Sequence, residues 1–188
     1  MRLRTIASAA ALVGALLAFA GGTASAVDTD ASRLVRSDTA NAIVGVPPAI
    51  EVPVGHVLIG DFFAKGVQVY QCTGGAWVFV EPAANLLGWV RRPTNLATAV
   101  HFRGPSWEST DDGSLVEARA VASSPVPGSI PQLLLQATRN RGDGAFGQVS
   151  YLQRLATRGG AAPADACTDG QTTGVLYQAR YRFFVPAS

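Results

Sequence analysis

The sequence is poor in cysteine: Cys72 and Cys167 are its only two. Two lone cysteines supply too few ligands for a structural zinc site, which takes four. In a chain expected to be exported, an even count instead predicts a disulfide, because compartments outside the cytoplasm are oxidising. A bond between positions 95 apart would stabilise the fold by on the order of 4 kcal/mol through loop-closure entropy.

The sequence also lacks a large excess of charge of one sign. Its 15 basic and 13 acidic residues become 13 of each once Arg2 and Arg4 leave with the leader described below. A neutral chain offers no electrostatic argument for nucleic acid or an anionic membrane surface. We therefore expect no nucleic-acid partner.

Long hydrophobic runs are absent beyond the first 26 residues. Arg2 and Arg4 precede an apolar run over residues 6–19, and Ala24-Ser25-Ala26 supplies small residues for cleavage. This pattern predicts a signal peptide over residues 1–26, cleaved after Ala26. The run is too short to span a bilayer comfortably, so a retained anchor is the less favoured alternative. We expect a secreted protein with no transmembrane anchor after cleavage.

The remaining chain divides into a tail and a domain. Residues 27–48 are polar, mixed in charge and poor in large apolar groups, which predicts a flexible N-terminal tail. Residues 49–188 have the size of a single domain. They contain no internal repeat.

Helical periodicity is absent too, since no window of a dozen residues shows a helical stripe. Over residues 177–183 apolar positions alternate with polar ones, which predicts a strand with a core face and an arginine face turned to water. Alternation on both sides of Gly74-Gly75 predicts a hairpin. Further predicted strands cover residues 99–103, 114–123, 133–138 and 146–155. These segments predict an all-β fold, a single-domain antiparallel β-sandwich or small β-barrel of about eight or nine strands.

Six motifs occur in order across the domain. They are AKGVQVYQC at 64–72, the pair Trp77 and Phe79, H-x-x-G-P-x-W-E with DGS at 101–114, IPQLLLQA at 130–137, YLQRLATRGGAAP at 151–163, and a cysteine four residues later. This set resembles the secreted bacterial and fungal family catalogued as domain of unknown function 3455, over about residues 50–186. Gln132 stands where that family usually has tryptophan, and residues 85–100 match it poorly. The resemblance implies an exported single domain and supplies no established reaction.

Some members of that family carry a malate dehydrogenase label, which would require a nicotinamide site. Residues 142–147 do spell G-x-G-x-x-G, and in a dinucleotide site such glycines close a strand-to-helix turn over the pyrophosphate. Here the next residues alternate like a strand, and Asp143 would place an anion beside the phosphates. We interpret the segment as a glycine-rich hairpin turn. We expect no cofactor and no NAD-dependent malate dehydrogenase activity.

The best polar cluster surrounds a hairpin predicted at Asp112-Gly113. It contains the candidate ligand-binding residues His101, Trp107, Glu108 and Asp112. His101 lies between Val100 and Phe102, so it faces outward if those two face the core. Trp107 is favoured as a core residue. If it were exposed, it would be a stacking platform with polar neighbours, typical of a small polar-ligand or sugar site.

The length of that turn decides the chemistry of Glu108. A two-residue turn at Asp112-Gly113 would place Glu108 opposite Glu117, and the facing carboxylates would raise one pKa toward that of a general acid. A three-residue turn would place Val116 opposite Glu108 and remove the effect. Surface carboxylates paired with nearby arginines are the favoured alternative.

Three functions follow from these residues. We favour a non-enzymatic, monomeric ligand-binding protein whose ligand is a carbohydrate or a cell-envelope component. One alternative is a secreted hydrolase that uses Glu108 as general acid/base with His101 assisting. Another is a structural or interaction protein with no pocket. A metal site that uses His101 with Glu108 or Asp112 has no support in the ligand spacing, so we expect no metal.

Overall fold

The computed structural model describes residues 45–91 and 94–187. The signal peptide predicted over residues 1–26 and most of the tail predicted over residues 27–48 lie outside that part of the chain. The described strands are β1 (His56–Thr73), β2 (Ala76–Arg91), β3 (Thr94–Phe102), β4 (Ser106–Ser109), β5 (Leu115–Ser124), β6 (Gln132–Arg141), β7 (Tyr151–Gly159) and β8 (Thr172–Pro186). Within the same ranges the only helical element is a 3₁₀ helix, Pro48–Ile50, and no helix there is long and apolar enough to cross a membrane.

The eight strands form one closed antiparallel barrel. Each strand pairs with the next, and β8 pairs with β1. The all-β prediction is confirmed, and of the two predicted architectures the barrel is the one that forms. An eight-stranded barrel is just wide enough for its interior to be filled by side chains or to hold one small ligand.

The hairpin predicted at Gly74-Gly75 is confirmed. The β1–β2 ladder runs to the pair Thr73↔Ala76, so these glycines are the two turn residues. Their φ angles are 62° and 75°, the left-handed values that suit glycine and that this type of turn requires. The strand predicted over residues 146–155 is displaced along the chain, since it begins at Tyr151 and ends at Gly159.

The strand predicted over residues 177–183 is confirmed as part of β8, with one error. Its apolar face, which comprises Tyr177, Ala179, Tyr181 and Phe183, is buried inside the barrel. The opposite face was predicted to meet water, yet Arg182 is only 2% exposed. Its Nε donates to Oδ2 of buried Asp61 at 3.2 Å. Asp61 also accepts two hydrogen bonds from Arg180, at 2.6 and 2.7 Å.

Arg182 is buried because the chain before β1 covers this part of the outer wall. Gln153 pairs with Arg182 across β7 and β8, and its Nε2 donates to the Ile50 carbonyl at 2.8 Å. A second apolar cluster forms between this segment and the wall. Its members are Val46, Ile50, Val52, Leu134, Leu155 and Phe184. The outer face of the barrel therefore has a small core of its own.

The predicted disulfide is confirmed. Cys72 and Cys167 are bonded, with their Cα atoms 5.9 Å apart. The bond joins the end of β1 to the long loop between β7 and β8. Hydrogen bonds also fix this loop to the β1–β2 hairpin. Among them, Tyr70 donates to the Gly160 carbonyl at 2.7 Å, and Trp77 Nε1 donates to the Asp165 carbonyl at 3.1 Å.

Candidate ligand-binding site

The barrel is hollow at one end. A cavity of about 530 Å³ lies where the β1–β2, β3–β4 and β5–β6 connections meet. Apolar and aromatic side chains supply much of its wall, among them Tyr70, Phe79, Ile130, Leu133 and Leu135. Its volume falls in the range of roughly 300–1,000 Å³ that small-molecule sites occupy.

An aromatic stack forms part of the cavity wall. His101 and Trp107 are paired across β3 and β4, and their rings stack with centroids 4.2 Å apart and planes 6° apart. Tyr181 packs edge-on against both rings, at 5.3 and 5.4 Å. All three side chains are buried. One face of the Trp107 indole is thus already covered by the imidazole.

His101 is a neutral hydrogen-bonding group. Its Nδ1 lies 2.8 Å from the Ser106 carbonyl oxygen, which can only accept, so Nδ1 carries the proton and Nε2 keeps its lone pair. Burial lowers the pKa of His101 from its usual 6.5 to about 3. The hydrogen bond to Ser106 opposes that shift, and the charge of Arg154 adds to it. His101 is therefore uncharged at neutral pH.

The low pKa of His101 predicts a loss of stability in acid. Between about pH 6.5 and about pH 3 the unfolded chain binds a proton on His101 that the folded chain does not, so the free energy of unfolding falls as pH falls. The contribution is at most about 1.4 kcal/mol per pH unit. Urea unfolding at several pH values within that window measures the slope.

Two variants isolate the contribution of His101 to that slope. His101→Phe keeps an aromatic ring beside Trp107 and should flatten this part of the pH dependence. His56→Gln changes the other histidine, which does not line the cavity, so the difference between the slopes of the two variants isolates the cavity histidine. Equal slopes in the wild type and in His101→Phe would contradict the assignment.

Arg154 brings a positive charge to the cavity wall. It lies on β7 in the register position opposite Tyr181, is partly buried, and donates from Nε to the Pro131 carbonyl at 3.0 Å. The other arginine of the wall, Arg103, is paired with Glu81 at 3.0 Å. No ion pair joins Arg154 to a carboxylate in the part of the chain that the structure describes.

Residues of the cavity wall also hold more hydrogen-bond donors than they satisfy. Trp107 Nε1, Gln68 Nε2 and the Tyr181 hydroxyl are buried without a formed hydrogen bond. Burial raises the pKa of Tyr181, and the nearby Arg154 and Tyr177 side chains oppose the shift. The phenol therefore stays protonated at neutral pH. These polar atoms are enclosed by protein, so the surface that meets the cavity is mainly apolar.

The opposite end of the barrel is closed by Phe146, from the loop between β6 and β7. Phe146 is fully buried and stacks on Phe183, with ring centroids 4.4 Å apart. Its backbone N–H donates to Ser114 Oγ at 2.9 Å, and its carbonyl accepts from Asn140 Nδ2 at 2.8 Å. The G-x-G-x-x-G segment thus connects two antiparallel strands, as the hairpin interpretation predicts, and places a plug inside the barrel.

The glycines of that segment have a packing explanation. A Cβ on Gly144 would lie 2.3 Å from the Asp112 carboxylate, and one on Gly147 would lie 2.1 Å from the Gly142 carbonyl oxygen. Either side chain would displace its neighbours. The loop needs these glycines in order to fold tightly around Phe146.

Asp112 holds this plug loop and does not line the cavity. Its Oδ1 accepts from the Ser114 N–H at 2.9 Å, and its Oδ2 accepts from the Ala145 N–H at 2.8 Å. Burial would raise the pKa of Asp112, but hydrogen bonds from Ser114 and the Ala145 amide outweigh it and lower the pKa. Asp112, one of the four predicted site residues, therefore lies at the end of the barrel opposite the cavity.

Glu108 is also outside the cavity. It lies opposite Leu115, because the connection over residues 110–113 is longer than either predicted turn and closes with the Ser109 N–H donating to the Ser114 carbonyl. Neither of the two alternative turns forms, and Glu108 faces neither Glu117 nor Val116. Glu108 instead pairs with Arg141 at 3.0 Å. This is the favoured alternative, a surface carboxylate paired with an arginine.

The structure brings together two of the four predicted residues. His101 and Trp107 meet on the cavity wall, and Trp107 is a core residue as favoured. The outward orientation expected for His101 is wrong, since only 3% of the residue is exposed. Glu108 follows inward-facing Trp107 along β4 and points to the other face of the sheet. The described residues include no group of three or more His, Cys, Asp or Glu that could hold a metal ion.

The extent of the family match decides where the chain belongs. A family model described as "Protein of unknown function (DUF3455)" matches residues 53–185. The chain belongs to the DUF3455 family. Neither the search of curated proteins nor the search of solved structures finds a match. The cavity wall and the Phe146 plug both lie inside the DUF3455 region.

Within the DUF3455 region, three residues line the cavity that were not predicted as site residues: Arg154, Tyr181 and Gln68. Each lies an even number of positions from inward-facing apolar residues of its own strand, so its side chain faces inward too. For Arg154 the sequence has no clear signal, because leucines lie on both faces of its strand. Leu152 belongs to the core inside the barrel and Leu155 to the outer cluster.

Proposed function

We propose that the chain is an exported, non-enzymatic binding protein that holds one small, largely apolar ligand at the open end of the barrel. The observation that carries the proposal is the cavity of about 530 Å³ with its apolar and aromatic wall. Export is supported by the Cys72–Cys167 disulfide, because such bonds persist in oxidising compartments.

Two observations favour binding over hydrolysis. His101 has no carboxylate among the residues that share the cavity with it, and its pKa of about 3 makes it a poor base at neutral pH. Glu108, the carboxylate of the alternative mechanism, lies on the other face of the sheet and is paired with Arg141. A general acid/base pair is not assembled by these residues.

The wall favours an apolar ligand over a carbohydrate. Sugars are usually bound on the open face of an aromatic ring with polar groups around it. Trp107 is 1% exposed and is covered on one face by His101. Carbohydrate remains the competing ligand class in the experiment below.

The neutral fluorophore N-phenyl-1-naphthylamine tests the proposal. Its emission rises in apolar surroundings, so a saturable increase on titration reports entry into the cavity. Ala120→Trp places an indole at the rim, where Ala120 is exposed and lines the cavity. We expect it to weaken binding about tenfold or more, because a filled pocket excludes the probe.

Ala83→Trp is the matched control, since Ala83 is exposed on β2 and does not line the cavity. It should leave the dissociation constant unchanged. Soluble oligosaccharides added as competitors should fail to displace the probe. Absence of saturable binding, or binding that Ala120→Trp leaves intact, would contradict the proposal. Displacement by a sugar would shift the ligand class to carbohydrate.

A further inference from the structure

The charge of Arg154 is not balanced from within the cavity. Three basic side chains line the described wall, and they differ in charge and in ion pairing. His101 is neutral, and Arg103 has Glu81 as its partner. Arg154 donates to a backbone carbonyl and interacts with the Tyr181 hydroxyl, but it has no ion pair with any carboxylate of the described chain.

The influence of this charge extends through the interior. Arg154 lowers the pKa of Tyr70 and of Tyr181, in each case against the larger raising effect of burial, and it adds to the lowering at His101. These groups are neutral at neutral pH, so they do not compensate the cation. A positive charge in a largely apolar cavity attracts an anion more strongly than it would in water, because screening is weaker there.

The described wall of the cavity supplies no negative charge of its own. Carboxylate residues are missing from the described wall. An anionic oxygen group would supply the negative charge that this wall lacks and would accept hydrogen bonds from the Arg154 guanidinium.

We propose that the natural ligand is a small organic acid, with an apolar body and one carboxylate that pairs with Arg154. The apolar body lies against Ile130, Leu133 and Leu135, and the guanidinium binds the carboxylate in the geometry that suits planar oxyanions. This inference rests on the proposed function, because it assigns a ligand class to the same cavity.

An acid and its isosteric amide test the inference. 2-Naphthoic acid and 2-naphthamide have the same ring system and differ in charge at neutral pH. Each is titrated against protein loaded with N-phenyl-1-naphthylamine, and the concentration that displaces half of the probe is measured. The wild type should prefer the acid by about 10- to 100-fold, the range of one charge-assisted pair.

Three arginine variants locate the preference. Arg154→Met keeps the length of the side chain and should bring the two competitors within about threefold of each other, whereas Arg154→Lys keeps the charge and should retain part of the preference. Arg158→Met is the matched control, because Arg158 lies on β7, is exposed and does not line the cavity. It should behave as the wild type.

The outcomes separate this inference from the proposed function. If the neutral probe does not bind, the proposed function fails, and the ligand assignment fails with it. If the probe binds but wild-type protein takes acid and amide equally, only the assignment of an acid is overturned. If Arg103→Met removes the preference while Arg154→Met retains it, the assignment to Arg154 is overturned.

Discussion

Removing the Cys72–Cys167 bond should lower the free energy of unfolding by about 4–5 kcal/mol. The bond closes a loop between residues 95 apart, and a loop of that length gives about this figure in the chain-entropy model. The double substitution Cys72→Ser with Cys167→Ser, unfolded in urea and followed by circular dichroism, measures the change. The reduced wild-type protein should give the same result.

A variant that removes one non-covalent contact of the β7–β8 loop provides the comparison. Trp77→Phe removes the hydrogen bond from the indole to the Asp165 carbonyl but leaves the covalent bond in place. Its expected cost is only about 1 kcal/mol, typical of one hydrogen bond. Unchanged stability in the double serine variant would show that the loop is held by its non-covalent contacts alone.

Phe146→Ala should destabilise the protein by about 3–5 kcal/mol, the cost of removing a fully buried phenylalanine from a close-packed core. The ring stacks on Phe183 and packs edge-on against Phe62 at 5.8 Å, so the substitution leaves a cavity at the closed end. Thermal and urea unfolding of the purified variant measure the loss.

Phe63→Ala is the matched control for Phe146→Ala. Phe63 adjoins Phe62 on β1, but it faces outward and is 53% exposed. The same change of side chain there should cost about 1 kcal/mol or less, since surface substitutions rarely exceed that. Similar losses at the two positions would contradict the role of Phe146 as a plug.

The strands were predictable where the side chains on the two faces differ in kind. Tyr177, Ala179 and Tyr181 alternate with longer polar residues, and all three are inside the barrel. The Gly74-Gly75 turn was predictable because its backbone conformation suits few other residues. In both cases local sequence and tertiary packing favour the same arrangement.

The orientation of His101 was not predictable from its neighbours. Val100 and Phe102 are the larger apolar residues, yet the inward positions of β3 belong to Ala97, Ala99 and His101. The inside of a narrow barrel has room for only a few large rings, so small residues must fill some inward positions. Apolar residues are then left for the outer face, where Leu96 is 78% exposed.

Two other errors have a common cause in long-range packing. Arg182 is buried because a segment about 130 residues earlier in the chain covers it, and strand alternation contains no information about such a cover. The register of Glu108 depends on the connection between β4 and β5. That connection is set by the contacts of Asp112 with Ser114 and Ala145, and the last of these lies in a distant loop.

The ladder between β1 and β8 joins the first strand of the barrel to the last, from the pair His56↔Pro186 to the pair Gln71↔Thr172. Contacts between residues so distant in sequence form slowly, because the entropy of closing the chain is lost before the contacts stabilise it. The final closure should therefore set the folding rate, on the scale of milliseconds to seconds. Until the last strand is added, both β1 and β7 present unpaired edges, which are the surfaces through which partly folded β-proteins aggregate.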